Sequence, residues 1–176
     1  MTSMSDPRLD ITSLIMDDHE WFRRQFARLD DAADNDELAA IWAPLATRLD
    51  THAQAEETIF YPACRALRDE DARRIVGESM EEHTIVKRLI KELAPLDGSD
   101  ERFQAKATVL KESVEHHAGE EESDLFPVAE SELGEERLRA LGRKMESLKS
   151  RRSSGKRAGI AGKRAGAART SARKRR

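Results

Sequence analysis

The sequence holds one cysteine, one tyrosine, five prolines and nine glycines in 176 residues, and aromatics make up 5% of it. Cys64 has no partner for an internal disulfide, so no disulfide framework organises this chain. The shortage of turn-forming and aromatic residues excludes a β-sandwich or barrel, which needs many tight turns and β-branched or aromatic strands. No apolar run approaches the length of a membrane span. Residues 1–10 lack the basic-then-apolar layout of a secretory signal and read as a short leader to a cytoplasmic protein. What these absences leave is an all-α chain with room for one ordinary domain and an appendage.

Charge divides the chain into two unlike parts. The net charge of −3 comes from 31 Lys/Arg against 34 Asp/Glu, but twelve of the basic residues and none of the acidic ones fall in 149–176. The remaining body therefore carries 19 basic against 34 acidic residues, a charge of −15.

Within the body, apolar residues recur at helical spacing in four stripes. The first is Ile11, Ile15, Phe22, Phe26 and Leu29, with His19 on the stripe. The second runs from Leu38 through Ile41, Trp42, Leu45 and Leu49 to Ile59 and Phe60, with His52 and Glu56 in phase. The third is Val76, Met80, Val86, Leu89, Ile90 and Leu93, interrupted by His83; the fourth is Phe103, Ala107, Leu110, Val114 and Leu125, interrupted by His117 and Glu121. Every apolar face carries the same kind of polar intrusion.

The two halves also repeat. Met16-Asp17-Asp18-His19 matches Met80-Glu81-Glu82-His83, and the stretch from His52-Ala53 to Phe60-Tyr61-Pro62 matches that from His117-Ala118 to Leu125-Phe126-Pro127. Such self-similarity marks a duplicated helical hairpin. Residues level with each other on antiparallel helices lie equidistant from the turn between them. The midpoint of His19 and His52 falls in Asp34-Asn35-Asp36, that of His83 and His117 at Asp100, and that of His52 and His83 within Leu67-Arg68-Asp69-Glu70, all polar turn-forming stretches. An up-down-up-down four-helix bundle over 11–130 then places all four histidines near one level of the core. Kinks or helix ends are expected at Pro44, Pro62 and Pro127. A short amphipathic helix over 131–148, with Leu138, Leu141, Met145 and Leu148 on its apolar face, is expected to pack outside the bundle.

His52 with Glu56 and His117 with Glu121 are spaced by four, so each pair shares a helix face with about 6 Å of rise between its members. Two buried carboxylates are costly unless protonated, paired or metal-bound, and no Lys or Arg shares their stripes. A dinuclear metal centre resolves the difficulty: roughly two imidazoles per ion, with Glu56 and Glu121 as bridges.

This series, His19, His52-x-x-x-Glu56, His83 and His117-x-x-x-Glu121, resembles the hemerythrin-like, or HHE cation-binding, family of four-helix di-iron proteins over roughly residues 10 to 130. The resemblance implies two Fe ions, oxo- or hydroxo-bridged when oxidised, that meet H2O2, O2 or NO. It makes His19, His52, His83 and His117 terminal ligands and Glu56 and Glu121 bridging ones. The sequence departs from the oxygen-carrying members, which place a further histidine one turn after the third-helix ligand, where this chain has Lys87. Fewer histidines leave open positions on the metal, which suits oxidant binding and turnover better than reversible carriage. The function expected is binding, sensing or breakdown of small oxidants, with a catalase-like or peroxide-reducing activity as its enzymatic form. The alternative is an iron- or oxygen-sensing or nucleoid-associated protein without catalysis.

Around the ligands the sequence leaves choices open. Glu57 and Glu122, like Asp18, Glu20, Glu81 and Glu82, are either solvated helix-face residues or acceptors for an imidazole N–H. Tyr61 is either packing or a donor to the site, Trp21 and Trp42 are packing residues, and His116, about 100° round the helix from His117, is either a flank residue or a further ligand or outer support of the site. The segment 149–176 repeats Gly-Lys-Arg-Ala-Gly and has Ile160 as its one apolar side chain larger than Ala, so it is expected to be disordered. It either tethers to the acidic body or binds DNA or another polyanion non-specifically through its phosphates.

Overall fold

The computed structural model describes residues 9–173, with side chains described for 9–152. The expectations for 1–8 and for the side chains of 153–176 lie outside the described residues. All regular structure among the described residues is helical: α1 (Ile11–Asp30), α2 (Asn35–Ala55), a π turn (Glu56–Phe60), α3 (Tyr61–Cys64), α4 (Glu70–Leu93), α5 (Glu101–Glu120), a second π turn (Glu121–Leu125) and α6 (Phe126–Arg173). None of these helices is long and apolar enough to cross a membrane.

The long helices α1, α2, α4 and α5 start in the same way. Asp10, Asp34, Asp69 and Asp100 each accept a hydrogen bond from a backbone N–H of the first turn, those of Ser13, Glu37, Ala72 and Arg102. Each cap satisfies a donor that would otherwise be orphaned at a helix start. α1 packs on α2 and α5, and α4 packs on the same two, so the helices close into a ring around a common core.

That core is two apolar clusters with a polar layer between them. One gathers Phe22, Phe26, Leu29, Leu38, Ile41, Leu45, Leu49, Val86, Phe103 and Leu110. The other gathers Ile11, Ile15, Phe60, Tyr61, Cys64, Ile75, Val76, Leu125 and Phe126.

The prolines behave differently from one another. α2 runs through Pro44 without ending, so of the kink or end expected there the end does not occur. At Pro62 and Pro127 the expected irregularity takes the form of a π turn just upstream, in which Tyr61 N–H donates to Glu56 O and Phe126 N–H to Glu121 O. Proline removes a helical donor and crowds the carbonyl four residues back, and the wider turn absorbs both effects. The extra residue also carries Tyr61 and Phe126 onto the core side, 1% and 2% exposed.

Leu138, Leu141 and Met145, the apolar face of the short helix expected beside the bundle, are buried in the same cluster as Ile11 and Ile15. The cause is Gly134, whose φ of 72° interrupts α6 and turns its remainder back along α1. At Gly142 that segment lies so close to the start of α1 that a Cβ would sit 2.0 Å from the Leu9 carbonyl oxygen. Helix also continues past Leu148, through 149–152, into the stretch expected to be disordered. Lys149 and Arg152 are held there by Asp18 and Asp50 of the acidic body, and Lys, Arg and Ala favour helix intrinsically.

Candidate metal centre

The layer between the apolar clusters is built from His19 on α1, His52 on α2, His83 on α4, His117 on α5, and Glu56 and Glu121, the first residues of the π turns. None of the six is more than 4% exposed. Their ligating atoms form two overlapping groups, His19–His52–Glu56 and Glu56–His83–His117, each within 4.8 Å. Glu56 belongs to both: Oε1 is 2.9 Å from His52 Nε2, and Oε2 is 3.2 Å from His83 Nε2. Glu121 Oε2 lies 3.4 Å from His19 Nε2 and 3.6 Å from His117 Nε2. Each carboxylate thus spans imidazoles from the two halves of the repeat.

A ring of outer carboxylates fixes how the imidazoles face. Nδ1 of His19 is 2.8 Å from Glu122, that of His52 3.1 Å from Asp18, that of His83 3.0 Å from Glu57 and that of His117 2.9 Å from Glu82. An ionised carboxylate can only accept, so each Nδ1 carries the hydrogen and each Nε2 presents its lone pair inward. Three of the four outer carboxylates are themselves held by Lys or Arg. Arg23 donates twice to Glu122 at 2.9 and 3.0 Å, Lys87 twice to Glu57 at 2.5 and 2.6 Å, and Arg48 twice to Asp18 at 2.9 and 2.7 Å. Arg48 in turn lies over the Trp21 ring, 4.5 Å from its centroid.

The result is a cage of acceptors with no donors of its own. His83 Nε2 and His117 Nε2 are 3.1 Å apart, lone pair against lone pair. His19 Nε2, both oxygens of Glu56 and Glu121 Oε2 are buried side-chain atoms without a hydrogen-bond partner among the described residues. Buried acceptors left this way are costly unless a cation stands among them. Without metal, protons take that role. Burial pulls His52 down, but the negative Glu56 and the hydrogen bond to Asp18 outweigh it and push His52 up to about 10. Burial likewise opposes, and the charge of Glu121 with the Glu82 hydrogen bond overcomes, in raising His117 to about 9. Burial pushes Glu56 up, but the charges and hydrogen bonds of His52 and His83 together outweigh it and hold the carboxyl well below the usual range. An imidazole and carboxylate set with inward lone pairs and unsatisfied oxygens fits a divalent or trivalent metal.

One inward oxygen does have a protein donor. The Tyr61 hydroxyl donates to Glu121 Oε1 at 2.9 Å and sits 3.4 Å from both His83 Nε2 and His117 Nε2. Burial first, then the negative Glu121 and Glu56, push its phenol well above the ordinary value and keep it a donor. Burial and the same two carboxylates push the Cys64 thiol up as well, so it stays an unreactive thiol.

The family model for the hemerythrin HHE cation-binding domain matches residues 10–129. The chain belongs to that family. Its hemerythrin-like domain therefore takes in α1 to α5 and the start of α6, with every inward-facing group inside it. The chain is similar to a curated protein named DNA nickase from Nostoc sp. (strain PCC 7120), 26% identical over 153 residues, covering 86% of this chain and 42% of the relative. It is also similar to an uncharacterized hemerythrin-like protein of Schizosaccharomyces pombe, 25% identical over 126 residues, covering 72% of this chain and 62% of the relative. The chain thus spans less than two thirds of the length of either. No solved structure matches it.

Seen against the sequence, the hemerythrin-like centre brings together His19, His52, Glu56, His83, His117 and Glu121. Of the residues left open, Glu57, Glu122, Asp18 and Glu82 hold imidazoles, while Glu20 pairs with exposed Arg24 and Glu81 is exposed. Tyr61 is both packing and donor. His116 points away from the layer: its side chain is 66% exposed, with Nε2 3.5 Å from Glu120 and 3.8 Å from Glu82. Sequence reasoning missed the cations Arg23, Arg48, Lys87 and Lys149. The repeat held a signal for two of them, since Arg23 and Lys87 each follow their histidine by four residues.

Proposed function

We propose that this cage holds about two iron ions, which His19, His52, Glu56, His83, His117 and Glu121 would bind, in a cytoplasmic protein whose chemistry is with small oxidants, H2O2, O2 or NO. The observation that carries the reading is the inward convergence of four Nε2 lone pairs and unsatisfied carboxylate oxygens, with every Nδ1 tied outward. The short connections 31–34, 65–69 and 94–100 favour the up-down-up-down order for the long helices. Iron bound there would supply redox chemistry toward a small oxidant. This chain's own residues supply the rest: the outer carboxylates hold the imidazoles in one tautomer, the apolar clusters above and below exclude bulk water, and the Tyr61 hydroxyl donates a hydrogen bond to Glu121 Oε1.

Metal analysis and an absorption spectrum of anaerobically iron-loaded protein test this. Stoichiometric iron, lost in His52→Ala and kept in His116→Ala, is the expected outcome; iron-loaded protein that retains no stoichiometric metal overturns the reading. H2O2 consumption no faster than that of free iron at the same concentration would leave binding or sensing in place of breakdown.

A second reading is supported by a separate observation. The segment 149–176 carries twelve Lys/Arg and no Asp/Glu, and one relative is named a DNA nickase. Non-specific duplex DNA binding through phosphate contacts follows from that charge. Truncation after residue 148 should abolish a DNA mobility shift that the full chain gives; an unchanged shift removes the reading.

A further inference from the structure

The metal layer takes one of its supports from outside the matched domain. Lys149 Nζ lies 2.7 Å from Asp18 Oδ2, the same oxygen that accepts the His52 Nδ1 hydrogen. Asp18 is fully buried, so its charge depends on the partners that reach it: His52, Arg48 on Oδ1, and Lys149. Arg48 comes from the same helix as His52, whereas Lys149 arrives on α6, beyond the Gly134 turn. Its approach is fixed by Leu141 and Met145 in the core and by the close contact of Gly142 with Leu9. One turn further, Arg152 pairs with Asp50 at 2.6 Å and donates to Gln54, both on the helix that carries His52.

Lys149 is also the first residue of the basic segment. Arg151 and Arg152 follow at once, and the sequence of 153–176 adds nine more Lys/Arg. The Lys149 side chain is 28% exposed, so its ammonium is within reach of solvent as well as of Asp18. A DNA backbone that engages the segment competes for a cation already serving the metal layer.

We propose that Lys149 is a positioning residue of the metal centre, acting through Asp18 on His52, and that it couples duplex DNA bound at 149–176 to metal retention. The coupling half rests on the DNA reading above; the positioning half does not. Withdrawing Lys149 leaves Asp18 Oδ2 with His52 alone and loosens that imidazole, so DNA and metal oppose each other. By linkage the effect is reciprocal: metal loading weakens DNA binding by the factor by which DNA weakens metal binding.

The experiment follows release of ferrous iron from the full-length, iron-loaded chain to an excess of chromogenic chelator under anaerobic conditions, with and without saturating duplex DNA. Groups hydrogen-bonded directly to a ligand are worth about 10–100-fold, and Lys149 stands one contact further out, so K149Q should release iron about three- to tenfold faster than wild type without DNA. K149R should restore slow release. R152Q, which removes the Asp50 contact on the same turn, should release at the wild-type rate. DNA should accelerate release from wild type and from K156Q, which lowers the segment's charge equally, but not from K149Q. K149Q releasing at the wild-type rate, or R152Q releasing as fast as K149Q, overturns the positioning role. DNA acceleration that persists in K149Q, or that is absent in wild type although a mobility shift shows DNA bound, overturns the coupling. Absence of any mobility shift removes the DNA reading and the coupling with it, and the positioning role is then decided by K149Q without DNA.

Discussion

In the first half of the repeat, His52 donates to Asp18, which is fully buried and neutralised by Arg48 and Lys149. In the second, His117 donates to Glu82, whose side chain is 21% exposed and whose other oxygen has exposed His116 at 3.8 Å. The inward faces of the halves are nearly the same, and the outward supports are not. A second difference lies just after the π turns. Tyr61 in the first half reaches across to Glu121, whereas its counterpart Phe126 stacks near His19 and offers Glu56 no hydroxyl. The pairs His19–Glu122–Arg23 and His83–Glu57–Lys87 do correspond, with a guanidinium in one and an ammonium in the other. The six inward groups face one another and constrain each other's placement, while each outer support has to satisfy only one imidazole, so the supports are freer to diverge.

The comparison can be broken most severely at its shared member. Glu56 has an oxygen in each ligand group and no protein donor, so Glu56→Gln should lose most bound metal, whereas Glu121→Gln, which keeps the Tyr61 hydrogen bond, should retain more. Metal content after gel filtration measures both. Equal losses would make the two carboxylates equivalent despite Tyr61.

The next effect is pH dependence. His52 and His117 are raised above the usual imidazole value, to about 10 and about 9, so metal must displace their protons. Apparent affinity should climb steeply with pH from about 6.5 to about 9 and flatten above about 10. For the metal-free chain the sign is opposite. Stabilisation by the protonated imidazoles is complete below about 6.5 and is lost as pH rises through about 9 to 10. Metal titrations and thermal melts of metal-free protein across that range check both, and a flat affinity profile contradicts them.

The outer carboxylates come third. Glu122→Gln and Glu57→Gln should each weaken metal binding about 10–100-fold, by similar factors, because their geometries correspond. Competition with a chelator of known affinity gives the ratio. A large difference would place the asymmetry of the halves here as well.

Smaller again is Tyr61→Phe, which makes the residue after the first π turn the same as its counterpart Phe126. It leaves Glu121 Oε1 without its donor and should cost the metal-free protein about 1–3 kcal/mol in denaturant unfolding, with much less lost once metal is bound. The smallest change is Lys87→Ala against Arg23→Ala. Both cations are about one-third exposed, so each should cost less than about 1 kcal/mol.

Much of this was legible in the sequence because helical periodicity is a local property. The positions of His19, His52, His83 and His117 in four apolar stripes follow from spacing alone, and the repeat levels them. Turn midpoints placed the connections within a few residues of the observed 31–34, 65–69 and 94–100. The carboxylates on Nδ1 were visible only as alternatives, since each belongs to a different helix from the imidazole it holds: Glu122 with His19, Asp18 with His52, Glu57 with His83 and Glu82 with His117. Pro62 and Pro127 pointed to irregular helix, but that the irregularity takes the form of a π turn depends on how the backbone absorbs the lost donor.

The basic segment gives the sharpest division. Its charge, length and composition were plain in the sequence, because they are sums over residues. That its first residue reaches a buried aspartate on α1, some 130 positions earlier, was not. Gly134 turns α6 back, Gly142 lets it approach Leu9, and Leu141 and Met145 anchor it in the core. By itself the sequence determined an all-helical, duplicated layer of histidines and glutamates, because period and repeat act within a helix. Only the tertiary structure decided which carboxylate orients which imidazole and where Lys149 lands, because those contacts depend on the relative placement of helices that no local period encodes.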